Sequence, residues 1–378
     1  MFSYWEQESF THYQHIVIGA GIVGLSAAIE LKERFPYDRV LVLERGLLPT
    51  GASTRNAGFA CMGSVTELLD DLEHSGEAEV VDLFLLRRNG LARLRSRLGD
   101  KNIRYAENGS YELISEKETD ALSKIDYLNA LLLPHTGKPA FSLASEKVAE
   151  FGFAPKYTRA LIRNNFEGEL HTGEMIRSLT DLAISKGIEI KTGAVVDRFE
   201  EGGRNVDVFV TDPFRNETML LKCDTVSICT NAFTKQLLPD VDVVPGRGQV
   251  LITHPIKGLK FKGIYHFDKG YYYFREIDGR ILIGGGRNLD FDTERTTDFE
   301  LNTMIQISLE QKLSDIIIPN INFEIANRWT GIMAFGATKQ PIVKAFSDKV
   351  FGAFRMGGMG VAIGSEVAAQ LGNMVKER

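Results

Sequence analysis

The chain has 378 residues, a formal net charge of −6, 44% hydrophobic and 25% charged residues. That length buries one large core or two, and the acidic balance argues against nucleic acid as a partner, because phosphate binding wants a basic excess. No apolar run approaches the roughly eighteen residues of a membrane helix, so membrane association is not expected; three cysteines and seven histidines in no ligand spacing suggest neither a disulfide framework nor a metal site.

The N-terminal Met1 to Glu8 carries early acids and no basic segment, so a cytoplasmic location is the default expectation. Tyr13 to Ile18 then reads as a strand running into Gly19-Ala20-Gly21-Ile22-Val23-Gly24, and Leu25 to Leu31 continues at helical spacing. The first glycine permits a sharp turn, the second lets backbone approach a pyrophosphate, and the third lets helix and strand pack closely. Pro36 stops the helix, and Arg39 to Glu44 is a second strand. Glu44 lies about twenty residues beyond Gly24, placed for an adenosine ribose and hostile to a 2′-phosphate. Strand, turn, helix, strand and acid in register predict a dinucleotide site.

The loop Gly51 to Gly58 follows, dense in small residues and hydroxyls, with Ser53, Thr54, Arg55, Asn56 and Ala57 able to wrap phosphate or ribitol oxygens. Glu77 to Leu98 reads as a long helix carrying Arg87, Arg88, Arg93, Arg95 and Arg97. A basic amphipathic helix can lie on a membrane, but a core-packing helix with a solvated face is the plainer expectation. Gly109 to Ile114 is a short strand, and Lys117 to Leu133 a helix closed by Pro134. Met175 to Ala183 is helical with Gly187 as its cap, Ile188 to Ile190 and Ala194 to Phe199 are strands, Val206 to Thr211 and Met219 to Leu221 a hairpin, and Thr225 to Cys229 a buried strand. On one strand, Cys223 and Cys229 would stand about 20 Å apart, too far to bridge.

From Pro245 the texture is β-rich, with strands at Gln249 to Ile252, Gly270 to Arg275 and Arg280 to Ile283. A helix from about Thr297 to Leu313 and a strand from Phe323 to Trp329 follow. The opening grammar then returns: a strand at Val350 to Phe354, a glycine turn at Met356 to Gly360, and a helix from Val361 to Val375.

This order of blocks resembles the FAD-dependent oxidoreductases that include D-amino-acid oxidase, glycine oxidase and monomeric sarcosine oxidase, over essentially the whole chain. The blocks that carry the resemblance are Gly19 to Glu44, Val195 to Glu200, Cys229-Thr230-Asn231-Ala232-Phe233, Pro245 to Gln249, Trp329-Thr330-Gly331 with Pro341, and Gly357 to Val361. It implies an α/β fold, a Rossmann-like FAD-binding domain with an interleaved, mostly antiparallel β substrate domain. The expected segments are 1–85, 160–240 and 325–378 for FAD, and 86–159 and 241–324 for substrate. The cofactor set is Gly19, Gly21, Gly24, Glu44, Arg45, Ser53, Thr54, Arg55, Asn56, Ala57, Val196, Thr230, Asn231, Gly357, Gly358, Met359, Gly360 and Val361. Asn231 stands where glycine is usual, and Asn also tolerates a left-handed backbone. Backbone donors of the last glycine turn would stabilise the negative charge a reduced flavin carries.

The resemblance further implies hydride transfer from the carbon of an amine or amino compound to flavin N5, followed by imine hydrolysis. Two departures bear on substrate and acceptor. Met333 stands where amino-acid oxidising relatives place a carboxylate-binding arginine, and Leu282 where sarcosine-oxidase relatives place an oxygen-activating lysine. No cysteine falls near Met333 to Thr338, where some relatives attach flavin covalently, so FAD is expected to be non-covalent. Tyr271, Tyr273, His266, Arg328 and Met333 are the substrate candidates, with a small-molecule substrate and an electron acceptor, O₂ or another, as partners. The alternatives are an FAD-dependent hydroxy-acid or polyol dehydrogenase, an NAD-dependent dehydrogenase, which the first 45 residues alone permit, and a non-catalytic flavoprotein.

Overall fold

Strand His12–Ile18 buries Ile16, Val17 and Ile18 together, which a strand accepts inside a parallel sheet covered on both faces. The computed structural model, which describes residues 3–212 and 217–376, pairs it in parallel with Val40–Glu44 on one side and Glu217–Ile228 on the other. Val350–Phe354 and Glu189–Thr192 extend this parallel core outward, and Ile342–Ala345 adds an antiparallel edge. The first half of Glu217–Ile228 pairs instead with Val206–Asp212, which pairs in turn with Val195–Glu201.

Helices Ile22–Arg34, Thr172–Ser185, Glu77–Leu98 and Gly360–Met374 pack on one face of this sheet around one apolar cluster. The three-stranded extension closes the other face over Tyr13, Ile16, Ile18, Leu41 and Leu43. Helix Glu77–Leu98 has the bounds its pattern predicts. Its arginines are committed within the protein: Arg93 to Glu30 and Glu366, Arg95 to Asp100 and Glu107, and Arg97 to Glu30 and Glu33.

A second sheet runs in the order Ile325–Phe335, Val244–Thr253, Arg280–Gly285, Tyr272–Ile277, Ile264–Phe267, Ser110–Ile114, Ala160–Asn164, Phe141–Leu143. Every neighbouring pair is antiparallel except Ile264–Phe267 with Ser110–Ile114. Its aromatic core centres on Tyr265 and Phe274, stacked with centroids 4.6 Å apart, under helix Thr303–Lys312.

The structure departs from expectation where tertiary contacts override local signals. Ala52–Arg55, read as loop, makes one helical turn. Pro134 does not close a helix: it lies inside Ile125–Thr136, in the last turn, where a proline forfeits one hydrogen bond, and Gly137 ends the helix in a left-handed conformation. Met219 to Leu221 and Thr225 to Cys229 belong to one strand, Glu217–Ile228, which changes partner midway; the turn of its hairpin lies outside the described residues. The helix expected from Thr297 starts at Thr303, where the Asn302 side chain accepts from the Ile305 N–H. Helices Tyr4–Phe10 and Val65–His74 were not foreseen. The expected boundary at 85 cuts helix Glu77–Leu98, and strands Ala160–Asn164 and Ile325–Phe335, assigned to the FAD segments, hydrogen-bond into the second sheet.

Candidate active site

A cavity of about 960 Å³ runs from the carboxyl ends of the parallel strands to the second sheet. That is the upper end of the roughly 300–1,000 Å³ ligand pockets span. At its first end stands the glycine turn. Gly19 has φ +103°, and a Cβ there would sit 2.8 Å from the Cys229 carbonyl oxygen; one on Gly24 would sit 1.8 Å from the Gly19 oxygen. The turn is therefore closed to any side chain, and helix Ile22–Arg34 begins against the cavity with its first N–H groups beyond intrahelical bonding.

Glu44 reaches the cavity with both oxygens already engaged, accepting from the Ala20 N–H and the Gly46 N–H at 2.9 Å each. These bonds hold the carboxylate at the strand end, and each oxygen keeps a lone pair for a hydroxyl donor. Arg45 lies 3.6 Å above the Phe233 ring, its pKa lowered by burial against the raising effect of Glu44. Ser53 accepts from the Ile22 N–H at 3.0 Å, joining the loop to the helix start.

Arg55 donates to the Thr330 carbonyl at 2.8 Å, tying the same loop to the second sheet, and Asn56 is bonded to Ala52, Ser53 and Gly58 backbone. Thr54 turns away to the Pro49 and Gly51 carbonyls and does not line the cavity. Ala57 and Val196 do line it.

Thr230 and Asn231 end the strand opposite. Asn231 adopts φ +46°, the left-handed conformation its glycine-like position requires, and its Oδ1 accepts from the N–H groups of Arg355 and Met356 at 3.1 and 3.3 Å. The second glycine turn follows directly, with Gly357 and Gly358 at positive φ, and helix Gly360–Met374 starts against the cavity. Gly357, Gly358, Met359, Gly360 and Val361 all line it. Two helix N-termini, an acid at one strand end and a passage between sheets fit the diphosphate, ribose and ring of FAD.

At the far end stand His266, Tyr271, Tyr273 and Met333. His266 is buried, its ring edge-on to Phe59 at 5.1 Å, and its Nε2 has no hydrogen-bond partner among the described residues. Burial pushes its pKa down to about 4, with Glu67 opposing. Burial raises the Tyr273 hydroxyl to about 12. Met333 takes the space left by Gly248, and its sulfur comes 3.5 Å from where a Gly358 Cβ would be.

Arg328 is not at the cavity. It donates to Gln306 and Glu310 of helix Thr303–Lys312, both at 2.7 Å, and serves the second sheet's outer packing. Leu282 is buried with Ala57 and Val250 and also stands off the cavity.

Several lining residues were not singled out from the sequence. Glu67, held below the usual carboxylate range because Arg87 and Lys339 outweigh its burial, lies beside His266. Ser64 with Glu67 three residues on is a helix-start spacing that would have located it. Lys339 pairs with Asp71 and Glu67, and Lys269 with Asp70. Arg287 follows Gly284-Gly285-Gly286, a run whose turn signal was available.

Cys61 and Cys229 line the cavity as protonated thiols: burial raises Cys229 to about 12 and Cys61 well above its ordinary range. The described residues hold no cluster of three metal-ligating side chains and no helix long and apolar enough to cross a membrane.

Fold and cavity together have the form of a dinucleotide-binding protein, with a cavity that reaches from one sheet to the other. The model of the FAD-dependent oxidoreductase family matches residues 14–374, so the chain belongs to that family: it is an enzyme, and FAD is its cofactor. It is 22% identical over 378 residues to the probable oxidoreductase OrdL of Haemophilus influenzae, covering 93% of this chain and 80% of that one. It is also 22% identical over 398 residues to human mitochondrial L-2-hydroxyglutarate dehydrogenase, covering 98% and 81%. Glycine oxidase from Geobacillus kaustophilus shares the fold with a TM-score of 0.76 and 20% identity, over 97% of this chain and 95% of the other.

Proposed function

We propose that the enzyme oxidises an amine or amino compound at the carbon bearing nitrogen, with water completing the conversion of the resulting imine. The observation that supports this is His266, a buried imidazole at the cavity whose Nε2 has no hydrogen-bond partner among the described residues and whose basicity burial lowers. Oxidising an alcohol calls for a general base with a pKa near the operating pH, which His266 does not meet. An amine bound in its neutral form uses its own lone pair.

FAD, when bound, supplies the two-electron acceptor for the substrate C–H bond. The chain's own groups do the rest. The Tyr273 hydroxyl stays protonated and is available as a donor. The N-terminus of helix Gly360–Met374 opens on the cavity, and its positive end would favour negative charge on a ring bound beside it. Phe59, Tyr273 and Phe335 give the substrate end an apolar lining.

The test is anaerobic. Amines and amino acids should bleach the flavin absorbance of the purified holoenzyme, while hydroxy acids leave it unchanged. Their kcat/KM should rise about tenfold per pH unit until the amine's own pKa, since only the neutral amine reacts. Bleaching by hydroxy acids alone would instead support the second reading, a hydroxy-acid dehydrogenase, which the likeness to L-2-hydroxyglutarate dehydrogenase favours. Admitting air then separates an oxidase, whose colour returns, from an enzyme needing another acceptor.

A further inference from the structure

We propose that Arg287 is the anchor for a carboxylate on the substrate, and so determines specificity for anionic over neutral amines; the inference rests on the reading of this cavity as the substrate site. Met333 brings no charge to the site, and the cations around the cavity are otherwise committed. Lys339 and Lys269 are ion-paired with Asp71 and Asp70, and Arg55 is bonded to the Thr50 and Thr330 carbonyls. Among the described residues, Arg45 and Arg287 are the cavity-lining cations with no hydrogen-bond or ion-pair partner, and Arg45 stands at the Glu44 and Val196 end.

Among the described residues the fully buried arginines have carboxylate partners, while Arg287 is half-buried. Arg247 meets Glu294, Arg275 meets Glu169, Arg355 meets Asp242 and Arg87 meets Glu67. Arg287 instead lies between two aromatic faces, 4.0 Å from the Phe335 centroid and 4.8 Å from that of Phe291. Aromatic contact leaves the guanidinium edge free, and that edge carries the paired N–H groups that fit a carboxylate.

The local chain is built to deliver it. A Cβ on Gly285 would fall 2.0 Å from the Tyr271 carbonyl, and the Gly286 N–H donates to that same oxygen at 2.9 Å. Gly285 and Gly286 take φ +120° and +75°. The strand Arg280–Gly285 therefore ends in a turn that lays Arg287 beside Tyr271, at the cavity. Gly246 leaves the space for its Nη1, which lies 3.1 Å from where a Cβ would be, and Gly246 is the sheet partner of Met333. The guanidinium thus comes to the same sheet face as Met333, whose sulfur lies 3.5 Å from where a Gly358 Cβ would be.

The test uses the holoenzyme titrated with benzoate and, as its neutral counterpart, benzamide, read by the perturbation of the flavin spectrum. Benzoate should bind and benzamide at least tenfold more weakly. Arg287→Met should lose at least tenfold in benzoate affinity, and Arg287→Lys should recover part of it, both with the flavin content of the parent. With a reducing amino acid, Arg287→Met should raise KM at least tenfold, and the KM for the corresponding neutral amine should change by less than that. Equal benzoate affinity in parent and Arg287→Met, benzamide binding as tightly as benzoate, or no benzoate binding at all would overturn the proposal. If hydroxy acids alone bleach the flavin and still depend on Arg287, the amine reading fails and the anchor stands.

Discussion

Asn231 shows how one residue couples backbone conformation to the shape of the cavity. Its left-handed backbone is costly for most side chains, of order 1 kcal/mol, and Asn offsets this with its short amide. That amide accepts from the N–H groups of Arg355 and Met356, locking the strand end to the glycine turn at Gly357. Asn231→Ala should lose about 2 kcal/mol of stability and weaken FAD binding, while Asn231→Gly, which keeps the backbone but not the bonds, should fall between. Melting curves and FAD titration measure both, and an alanine variant indistinguishable from the parent would refute the coupling. The tolerance of Asn for this turn was legible in the sequence, because few residue types accept that φ. Its bonding partners were not, because they lie 124 and 125 residues along the chain.

At the scale of elements, two buried acids of the second sheet side hold the segment from Met62 to Thr66, which ends in helix Val65–His74. Glu167 accepts from Met62 and Gly63 N–H and from the Ser110 hydroxyl, and Glu112 accepts from Val65 and Thr66. Beside them lies a void of about 10 Å³, also lined by His266, with room for about one water. Burial raises both carboxyls from 4.5 to about 7, against the pull of their hydrogen bonds. A raised folded pKa means the stability Glu167 contributes is complete below pH 4.5 and is lost as pH rises through 7. Glu167→Gln, which cannot ionise, should therefore be more stable than the parent by about 2 kcal/mol at pH 8, with the two converging toward pH 5. Denaturant melts at both pH values decide it, and a glutamine variant weaker at pH 8 would show that the charge itself is needed. The sequence offered helix Glu77–Leu98 through its apolar stripe, yet Arg87, read there among solvated arginines, is buried against Glu67 and the Met62 carbonyl. An arginine's place on a stripe says nothing of the acid that awaits it from another helix.

For the whole molecule, the large cavity is the seam between the two sheets, crossed by Arg55 to Thr330 and by the Trp329 indole N–H to the Arg55 carbonyl. A ligand filling that seam stabilises the assembly by mass action, about 2.7 kcal/mol at a hundredfold excess over Kd. Removing FAD should lower the melting temperature, and restoring it should return the loss in a concentration-dependent way. Both cavity cysteines are protonated by burial, so acid precipitation should leave all the flavin in the supernatant. Flavin in the pellet would establish a covalent link.

The strand, turn and helix from Tyr13 to Leu31, the acid at Glu44 and the closing turn at Gly357 to Val361 follow from residue types and their spacing. In each, backbone conformation, close approach and periodicity are local demands that only certain residues meet. The packing of distant segments set Arg328 facing outward and left Arg287 at the cavity with no hydrogen-bond or ion-pair partner among the described residues. It also decided that His266 is neutral and that one strand serves two neighbours. Those outcomes depend on which distant carboxylates, rings and voids surround a side chain, and desolvation and pairing act through space rather than along the chain.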